Sequence, residues 1–198
     1  MLCEKEDDLL AGASSGNTGH LASNFYYHRS RALLEAEMTG RARRINQGWL
    51  DSQPAVPCVK RGMIYLAKGE EEEFEIRKLL DLGRLNKEEG LREISLEEVA
   101  KLEPFLCLDG VTAALFSPNE AVVDPWLLAM THVYGMEVAG VTCYTGCEVV
   151  RMRREGDAWC VVTRRGVIKA GCIVNCGGNY GDEVERLGDQ VRLCYTKY

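Results

Sequence analysis

Three short segments of the 198-residue sequence combine residue types whose spacing suits ligand binding. Glu4 follows the apolar pair Leu2-Cys3, residues 12–19 are rich in glycine, serine and asparagine, and an apolar run ends in Asn175-Cys176-Gly177-Gly178. A carboxylate offers acceptor oxygens to two adjacent hydroxyls, and the backbone N–H groups of a small-residue loop can point at a phosphate. A glycine pair lets the chain pass close to a ligand. In a dinucleotide-binding fold an acidic residue binds the ribose, so the order of the three segments favours such a fold.

The elements that must position these segments alternate between helices and strands, which predicts an α/β fold. Helices are predicted over residues 31–50, 69–85, 96–102 and from 125 to 135 or 140. Strands are predicted over residues 59–67, 111–116, 141–151, 159–163 and 167–174. Ser30, Ser95 and Asp124 are the predicted N-caps, and Pro125 takes a first helical position. Residues 155–157 and 165–166 carry the signals of hairpin turns.

Composition narrows the classes of function. Hydrophobic residues make up 46% and charged residues 27% of the chain, as in ordinary globular proteins, and the net charge of −6 argues against a nucleic-acid partner. No apolar run of about 18 residues is present, so no membrane span is predicted. The acidic start lacks the features of a targeting signal, so an intracellular location, cytoplasmic or mitochondrial, is expected. The nine cysteines form no CxxC pair and are interpreted as reduced core residues; no metal site and no Ser-His-Asp triad are indicated.

Eight motifs recur together in the order of a known family. They are LCEKE (2–6), GASSGNTG (12–19), FYY (25–27), GMIYLA (62–67), LEP (102–104), VVDP (122–125), GCEVV (146–150) and IVNCGG (173–178). With them the sequence resembles the D-amino-acid-oxidase-like FAD-dependent oxidoreductases. Within that family it is most similar to the branch that holds L-2-hydroxyglutarate dehydrogenase and FAD-linked glycerol-3-phosphate dehydrogenase.

The resemblance implies FAD as the cofactor, with contacts carried over position by position. Glu4 would bind the adenosine ribose, and Val149 would contact the adenine side through its backbone. Two groups complete the implied contacts: Ser14, Ser15, Gly16 and Asn17 on the pyrophosphate and flavin side, and Cys176, Gly177 and Gly178 in a small-residue turn beside the cofactor. Tyr26 and Tyr27 match aromatic positions near the family's substrate pocket, although core packing explains them equally well.

The sequence also departs from the family pattern. The family's G-x-G-x-x-G fingerprint precedes the position of Glu4, and we expect the chain to be truncated at both ends. The family's histidine and the glycine two positions later correspond to Ala22 and Asn24, whereas His20 lies two residues earlier. His20 as a flavin-facing base, and Lys60 and Arg61 as contacts for a carboxylate substrate, are therefore weaker hypotheses than plain structural roles. No catalytic residue is assigned.

These observations predict a partial FAD-binding domain over residues 1–55 and 120–186 and part of a mixed-sheet substrate domain over residues 56–119. Residues 187–198 would begin a further substrate-domain segment. The predicted function is an FAD-dependent oxidoreductase that takes hydride from a CH–OH or CH–NH group of a small carboxylate, such as a 2-hydroxy acid. Two alternatives remain: a non-catalytic fragment or relic that does not bind FAD stably, and an interaction module whose glycine loops are only structural.

Overall fold

The computed structural model describes residues 1–27 and 33–188. Contacts in space separate two units, a first unit of Met1–Ser15 with Ala129–Tyr198 and a second unit of Gly16–Leu128. The predicted boundaries at residues 55 and 120 separate an FAD-binding domain from a substrate domain, whereas the two units are defined by contacts. The predicted boundaries stay a prediction. The predicted N-cap Ser30 and most of the predicted segment 187–198 lie outside the described residues.

The described residues form an α/β fold with parallel and antiparallel pairing. The strands are β1 (Leu2–Cys3), β2 (His20–Leu21), β3 (Cys58–Val59), β4 (Met63–Ala67), β5 (Arg92–Ile94), β6 (Ala113–Ser117), β7 (Ala121–Val123), β8 (Cys143–Tyr144), β9 (Val149–Glu155), β10 (Ala158–Thr163) and β11 (Gly166–Ala170). The helices are α1 (Leu33–Asp51), α2 (Gly69–Leu85), α3 (Leu96–Leu102), α4 (Pro125–Val138) and α5 (Gly181–Arg186), with 3₁₀ turns at Asn24–Tyr26 and Gly178–Tyr180.

Two antiparallel sheets organise the second unit. Their strand orders are β2-β7-β3 and β4-β6-β5. Leu115 of β6 is fully buried against Ala67 and Ile76, so α2 covers the second sheet. Ala114 packs with Ile94 and Val99, which places α3 on the same strand. Burial of these side chains holds both helices in place, because helix stability in proteins comes mainly from packing of an apolar face.

The local signals at helix starts predict the observed helices well. α2 has the predicted bounds, and its acidic first turn includes Glu72, whose carboxylate accepts the backbone N–H of Lys68 at 2.7 Å. Ser95 Oγ accepts the N–H of Glu98 at 3.2 Å, and Asp124 Oδ1 accepts the N–H of Leu127 at 2.8 Å. These side chains satisfy donors that an isolated helix start leaves without partners.

The first unit contains a parallel pair and a meander. β1 pairs with β8 in parallel register, Leu2 opposite Cys143. β9, β10 and β11 form an antiparallel sheet, and the predicted turns at 155–157 and 165–166 connect its strands. α4 begins in the second unit and ends in the first.

Three predicted strands are wrong in extent. Residues 59–67 break at Gly62, where a φ of +78° turns the chain from the sheet of β3 into the sheet of β4. Residues 141–151 break between β8 and β9, because Gly146 N–H donates to Glu6 O at 2.7 Å instead of continuing a strand. The third predicted strand, 167–174, ends at Ala170, which pairs with Trp159 near the start of β10.

The interpretation of the cysteines as core residues holds for only some of them. All eight described cysteines are free thiols, and Cys147 and Cys160 are buried. Cys107, Cys172 and Cys176 are exposed, which contradicts the interpretation at those positions. None of the helices in the described part of the chain combines the length and the apolar character needed to cross a membrane.

Candidate functional site

Glu4 lies at the carboxyl end of a parallel strand. Its backbone N–H donates to Tyr144 O at 2.8 Å, and its carbonyl accepts the N–H of Cys147 at 2.7 Å. The half-buried side chain accepts the N–H of Glu6 through Oε1 at 2.9 Å. Ligands of α/β folds bind beyond the carboxyl ends of parallel strands, so this carboxylate lies at an edge where such folds bind ligands.

The turn at Gly177-Gly178 is built by Asn175. Its Oδ1 accepts the N–H of Gly177 at 3.0 Å, and its Nδ2 donates to Gly181 O at 2.7 Å. Gly178 has a φ of +54°, a conformation that favours glycine. A Cβ at Gly177 would lie 3.0 Å from Val184 Cγ2, so a larger residue would disturb the packing of α5.

One contact joins the Glu4 segment to this turn within the first unit. The ammonium of Lys5 lies 3.7 Å from the ring centroid of Tyr180, a cation–π contact. Lys5 follows Glu4, and Tyr180 is two residues after Gly178. The structure thus brings together two segments that are more than 170 positions apart in the chain.

The glycine- and serine-rich loop crosses the boundary between the two units. In the first unit, Ser14 is exposed and Ser15 Oγ donates to Leu10 O at 2.5 Å. In the second unit, Gly16 is exposed and Asn17 Oδ1 accepts the N–H of Gly19 at 2.8 Å. The side-chain hydrogen bonds of Ser15 and Asn17 are local to the loop, and Ser14 and Gly16 are exposed.

Two further predicted contacts lie in the first unit. Val149 begins β9 at a register shift opposite Thr163, and the N–H of Arg164 donates to the preceding carbonyl of Glu148 at 2.9 Å. Cys176 is exposed immediately before the glycine turn. In residues 1–27 and 33–188 no group of three His, Cys, Asp or Glu side chains is placed to hold a metal ion.

Tyr26 and Tyr27 lie at and just after a 3₁₀ turn that is fastened to the end of α2. Asn86 Nδ2 donates to Asn24 O at 2.8 Å and to Tyr27 O at 2.9 Å. Phe25, which precedes Tyr26, is fully buried and stacks on it with 4.6 Å between ring centroids. The two tyrosines are each 37% exposed, so they lie at the surface of the second unit.

A buried acidic cluster next to Tyr26 was not predicted from the sequence. Glu120 is 1% exposed; its Oε1 accepts the N–H of Ser23 at 3.0 Å, and its Oε2 accepts the hydroxyl of Tyr65 at 2.5 Å. The hydroxyl of Tyr65 also bonds to that of Tyr26. His20 Nε2 lies 3.3 Å from Glu120 Oε2, within reach of an ion pair, although it lacks the alignment of a hydrogen bond. A single acidic residue between the apolar strands β6 and β7 is the sequence signal that could have indicated this cluster.

The buried cluster extends to a second charged pair. Arg43 Nη1 donates to Ser23 Oγ at 3.0 Å and to Glu88 Oε1 at 2.6 Å. The side chains of Arg43 and Glu88 are 12% and 1% exposed. Ser23 therefore connects two buried carboxylates, one through its N–H and the other through Arg43. Breaking such a pair leaves an uncompensated buried charge, so this network stabilises the position of the segment that precedes Tyr26.

Burial and the neighbouring carboxylate shift the acidity of both tyrosines. Desolvation raises the pKa of Tyr26 to about 12, and Glu120 adds to the rise. Desolvation and the hydrogen bond to Glu120 also raise the pKa of Tyr65. Both hydroxyls thus keep their protons at neutral pH and can donate hydrogen bonds.

Comparison with known proteins decides the family. Residues 1–197 match the model of the FAD dependent oxidoreductase (DAO) family. The chain belongs to this family. It is 24% identical over 192 residues to L-2-hydroxyglutarate dehydrogenase of Indibacter alkaliphilus, covering 97% of this chain and 47% of that protein. It is 26% identical over 196 residues to the mitochondrial L-2-hydroxyglutarate dehydrogenase of Homo sapiens, covering 93% and 41%.

The fold of this DAO-family chain also matches a solved structure. L-alpha-glycerophosphate oxidase from Mycoplasma pneumoniae, determined with FAD bound, superposes with a TM-score of 0.79 at 22% identity. That match covers 94% of this chain and 50% of the other. The chain thus spans half or less of the length of these relatives, and at this identity the structural match establishes the fold.

Proposed function

We propose that this chain takes part in an FAD-dependent oxidoreductase that oxidises a CH–OH or CH–NH group of a small carboxylate, such as a 2-hydroxy acid. The observation that carries the proposal is the family match over residues 1–197. The FAD contacts would come from Glu4, Ser14, Ser15, Gly16, Asn17, Val149, Cys176, Gly177 and Gly178, and substrate contacts from Tyr26 and Tyr27.

The residues present fit the adenosine and pyrophosphate parts of FAD. Glu4 places a carboxylate at the carboxyl end of β1, where it can accept hydrogen bonds from ribose hydroxyls. Gly178 has a left-handed backbone beside this strand end, with open space where a Cβ would be. A bound phosphate or ring would meet no side chain at the Cβ position of Gly178.

The residues of the chain would bind and orient, while the cofactor supplies the redox chemistry. When bound, the flavin accepts the hydride of the substrate. Glu4 would fix the adenosine end through charge-assisted hydrogen bonds. Ser14 and Ser15 would present a small-residue surface to the pyrophosphate, and the aromatic Tyr26 and Tyr27 would contact the substrate.

Titration of the purified chain with FAD, followed by flavin fluorescence, tests the cofactor proposal. Glu4→Gln should weaken binding at least about tenfold, because hydrogen bonds to a charged group contribute about 1.5–3 kcal/mol each. Glu75→Gln, on the exposed surface of α2, is the matched control and should leave the affinity unchanged. Absence of saturable binding by a chain that circular dichroism shows to be folded would contradict the proposal.

A non-catalytic role is the alternative. Ala22 and Asn24 stand where the family pattern has its histidine and glycine, and this substitution favours it. This alternative is a fragment or relic that does not bind FAD stably, and a folded chain without saturable FAD binding would support it. We further propose a small-molecule substrate and an intracellular location, cytoplasmic or mitochondrial, as for the mitochondrial relative.

A further inference from the structure

The hydrogen bonds around Glu120 have a fixed direction. The hydroxyl of Tyr65 donates to Glu120 Oε2 at 2.5 Å, so the single hydroxyl hydrogen of Tyr65 is committed to this oxygen. The Tyr65 oxygen must then accept its bond with Tyr26, which makes Tyr26 the donor in that contact. Tyr26 has one hydroxyl hydrogen, and this hydrogen is used. The outer end of the chain of hydroxyls is therefore the lone pairs of Tyr26 Oη.

This chain of hydrogen bonds leads from the interior to the surface. Glu120 is 1% exposed, Tyr65 is half-buried and Tyr26 is 37% exposed. The backbone N–H of Ser23 fixes the other carboxylate oxygen at 3.0 Å, so Glu120 cannot easily rotate away from Tyr65. The buried Glu120 side chain thus controls which kind of hydrogen bond the accessible Tyr26 hydroxyl can make.

We propose that Glu120, Tyr65 and Tyr26 form a donor-selecting subsite, in which Tyr26 Oη accepts a hydrogen bond from the hydroxyl or amino group of the substrate. The proposal rests on the proposed function and specifies which part of the substrate Tyr26 recognises. A substrate carboxylate or a keto oxygen would face lone pairs at this position and be disfavoured. Tyr26 is the contacting residue, and Glu120 and Tyr65 are positioning residues that act through it.

The surroundings of Glu120 support this polarity. His20 Nε2 is 3.3 Å from the same oxygen that Tyr65 bonds, and no hydrogen-bond partner for this nitrogen is present among the described residues. Burial raises the pKa values of both tyrosines, so their hydroxyls stay protonated at neutral pH. Arg43, which binds Ser23 Oγ, is paired with Glu88 and leaves Glu120 to the tyrosines.

A matched pair of probes tests the subsite: 2-hydroxyglutarate, which has a donor hydroxyl, and 2-oxoglutarate, which has a keto oxygen in its place. Calorimetric titration of the native chain should give about five- to tenfold tighter binding of the hydroxy acid, the effect of one hydrogen bond against one mismatched acceptor. Tyr26→Phe should bring the ratio of the two affinities to about one. Tyr134→Phe, an exposed tyrosine of α4, should keep the native ratio.

Glu120→Gln tests the role of the buried charge. The amide can donate to Tyr65, which frees the Tyr65 and Tyr26 hydrogens to point outward, so the preference should fall to one or reverse toward the oxo acid. Spectrophotometric titration of the tyrosines provides a readout without ligand: in this variant the last tyrosines should ionise at lower pH. Unfolding midpoints would show that the variant still folds, and Tyr26→Phe removes only the hydroxyl of a partly exposed side chain.

The outcomes separate this proposal from the cofactor proposal. Equal affinities for the two acids in the native chain, or no binding of either at 10 mM by folded protein, would overturn the subsite. Retained FAD binding with such a result would leave the proposed function standing. Loss of FAD binding with a preserved preference for the hydroxy acid would instead contradict the cofactor proposal alone.

Discussion

Gly19→Ala should strongly destabilise the second unit. Gly19 has a φ of +68°, and its carbonyl accepts the N–H of Val123 at 2.9 Å. A Cβ at this position would lie 1.9 Å from Val123 O and 3.3 Å from Pro125 Cδ. Since C···O contacts in proteins are about 3.3–3.6 Å, the two backbones would have to separate by more than about 1 Å. Such a shift breaks the bond that starts the pairing of β2 with β7.

The expected loss can be built from its parts. A non-glycine residue in the left-handed region costs about 1–2 kcal/mol. A buried backbone donor left without its acceptor costs a further ~1–3 kcal/mol. Together these lower the free energy of unfolding by about 2–5 kcal/mol, a large fraction of the ~5–15 kcal/mol typical of folded domains. Because β2 also carries His20, the contact with Glu120 should be lost as well.

Urea unfolding monitored by circular dichroism measures this loss. Gly48→Ala is the matched control, because Gly48 lies within α1 and has open space around the position of a Cβ. This control should stabilise the chain slightly, by about 0.5–1 kcal/mol, through helix propensity. Equal unfolding midpoints for Gly19→Ala and the native chain would refute the reasoning.

Three further predictions concern other elements. Asp124→Ala removes the cap of α4 and should lower the free energy of unfolding by about 0.5–2 kcal/mol, whereas Asp109→Ala at an exposed position should change it by less than about 0.5 kcal/mol in the same urea assay. The folded state raises the pKa of Tyr26 to about 12, so its contribution to stability is present below about pH 10 and is lost as the pH rises to 12. Across this range the free energy of unfolding of Tyr26→Phe should therefore fall by about 1 kcal/mol less than that of the native chain, a value reduced for the solvent exposure of the ring. An equal fall in both proteins would count against the raised pKa of Tyr26. Cys107 should react with a thiol reagent within minutes in the folded chain, and Cys147 should react only on unfolding, as mass spectrometry of the labelled peptides would show.

Local signals predicted the parts of the fold that depend on neighbouring residues. Ser95 and Asp124 cap helices through their own side chains, and the bounds of α2 follow from its acidic start and apolar spacing. The family motifs around Glu4 and Gly178 are also short stretches of sequence, so they could be recognised without the structure.

Contacts between distant residues were beyond such signals. Glu120 bonds the backbone of Ser23 across 97 positions and the hydroxyl of Tyr65 across 55. The pairing of β6 with β4 and of β7 with β2 brings these residues together. The residue types alone do not show which strands pair, so the sequence did not predict the contacts. The same reason explains the break at Gly62, where the chain changes sheets while its apolar pattern continues.

α4 has a practical consequence for work with this chain. Its sequence, PWLLAMTHVYGMEV, is mostly apolar, yet within the described part of the chain none of its residues is buried. Trp126, Tyr134 and Val138 are 50%, 68% and 71% exposed. Exposed apolar surface of this kind binds hydrophobic dyes and promotes self-association. Samples should therefore be kept dilute, and light scattering should accompany every titration so that a change in flavin fluorescence is not mistaken for aggregation.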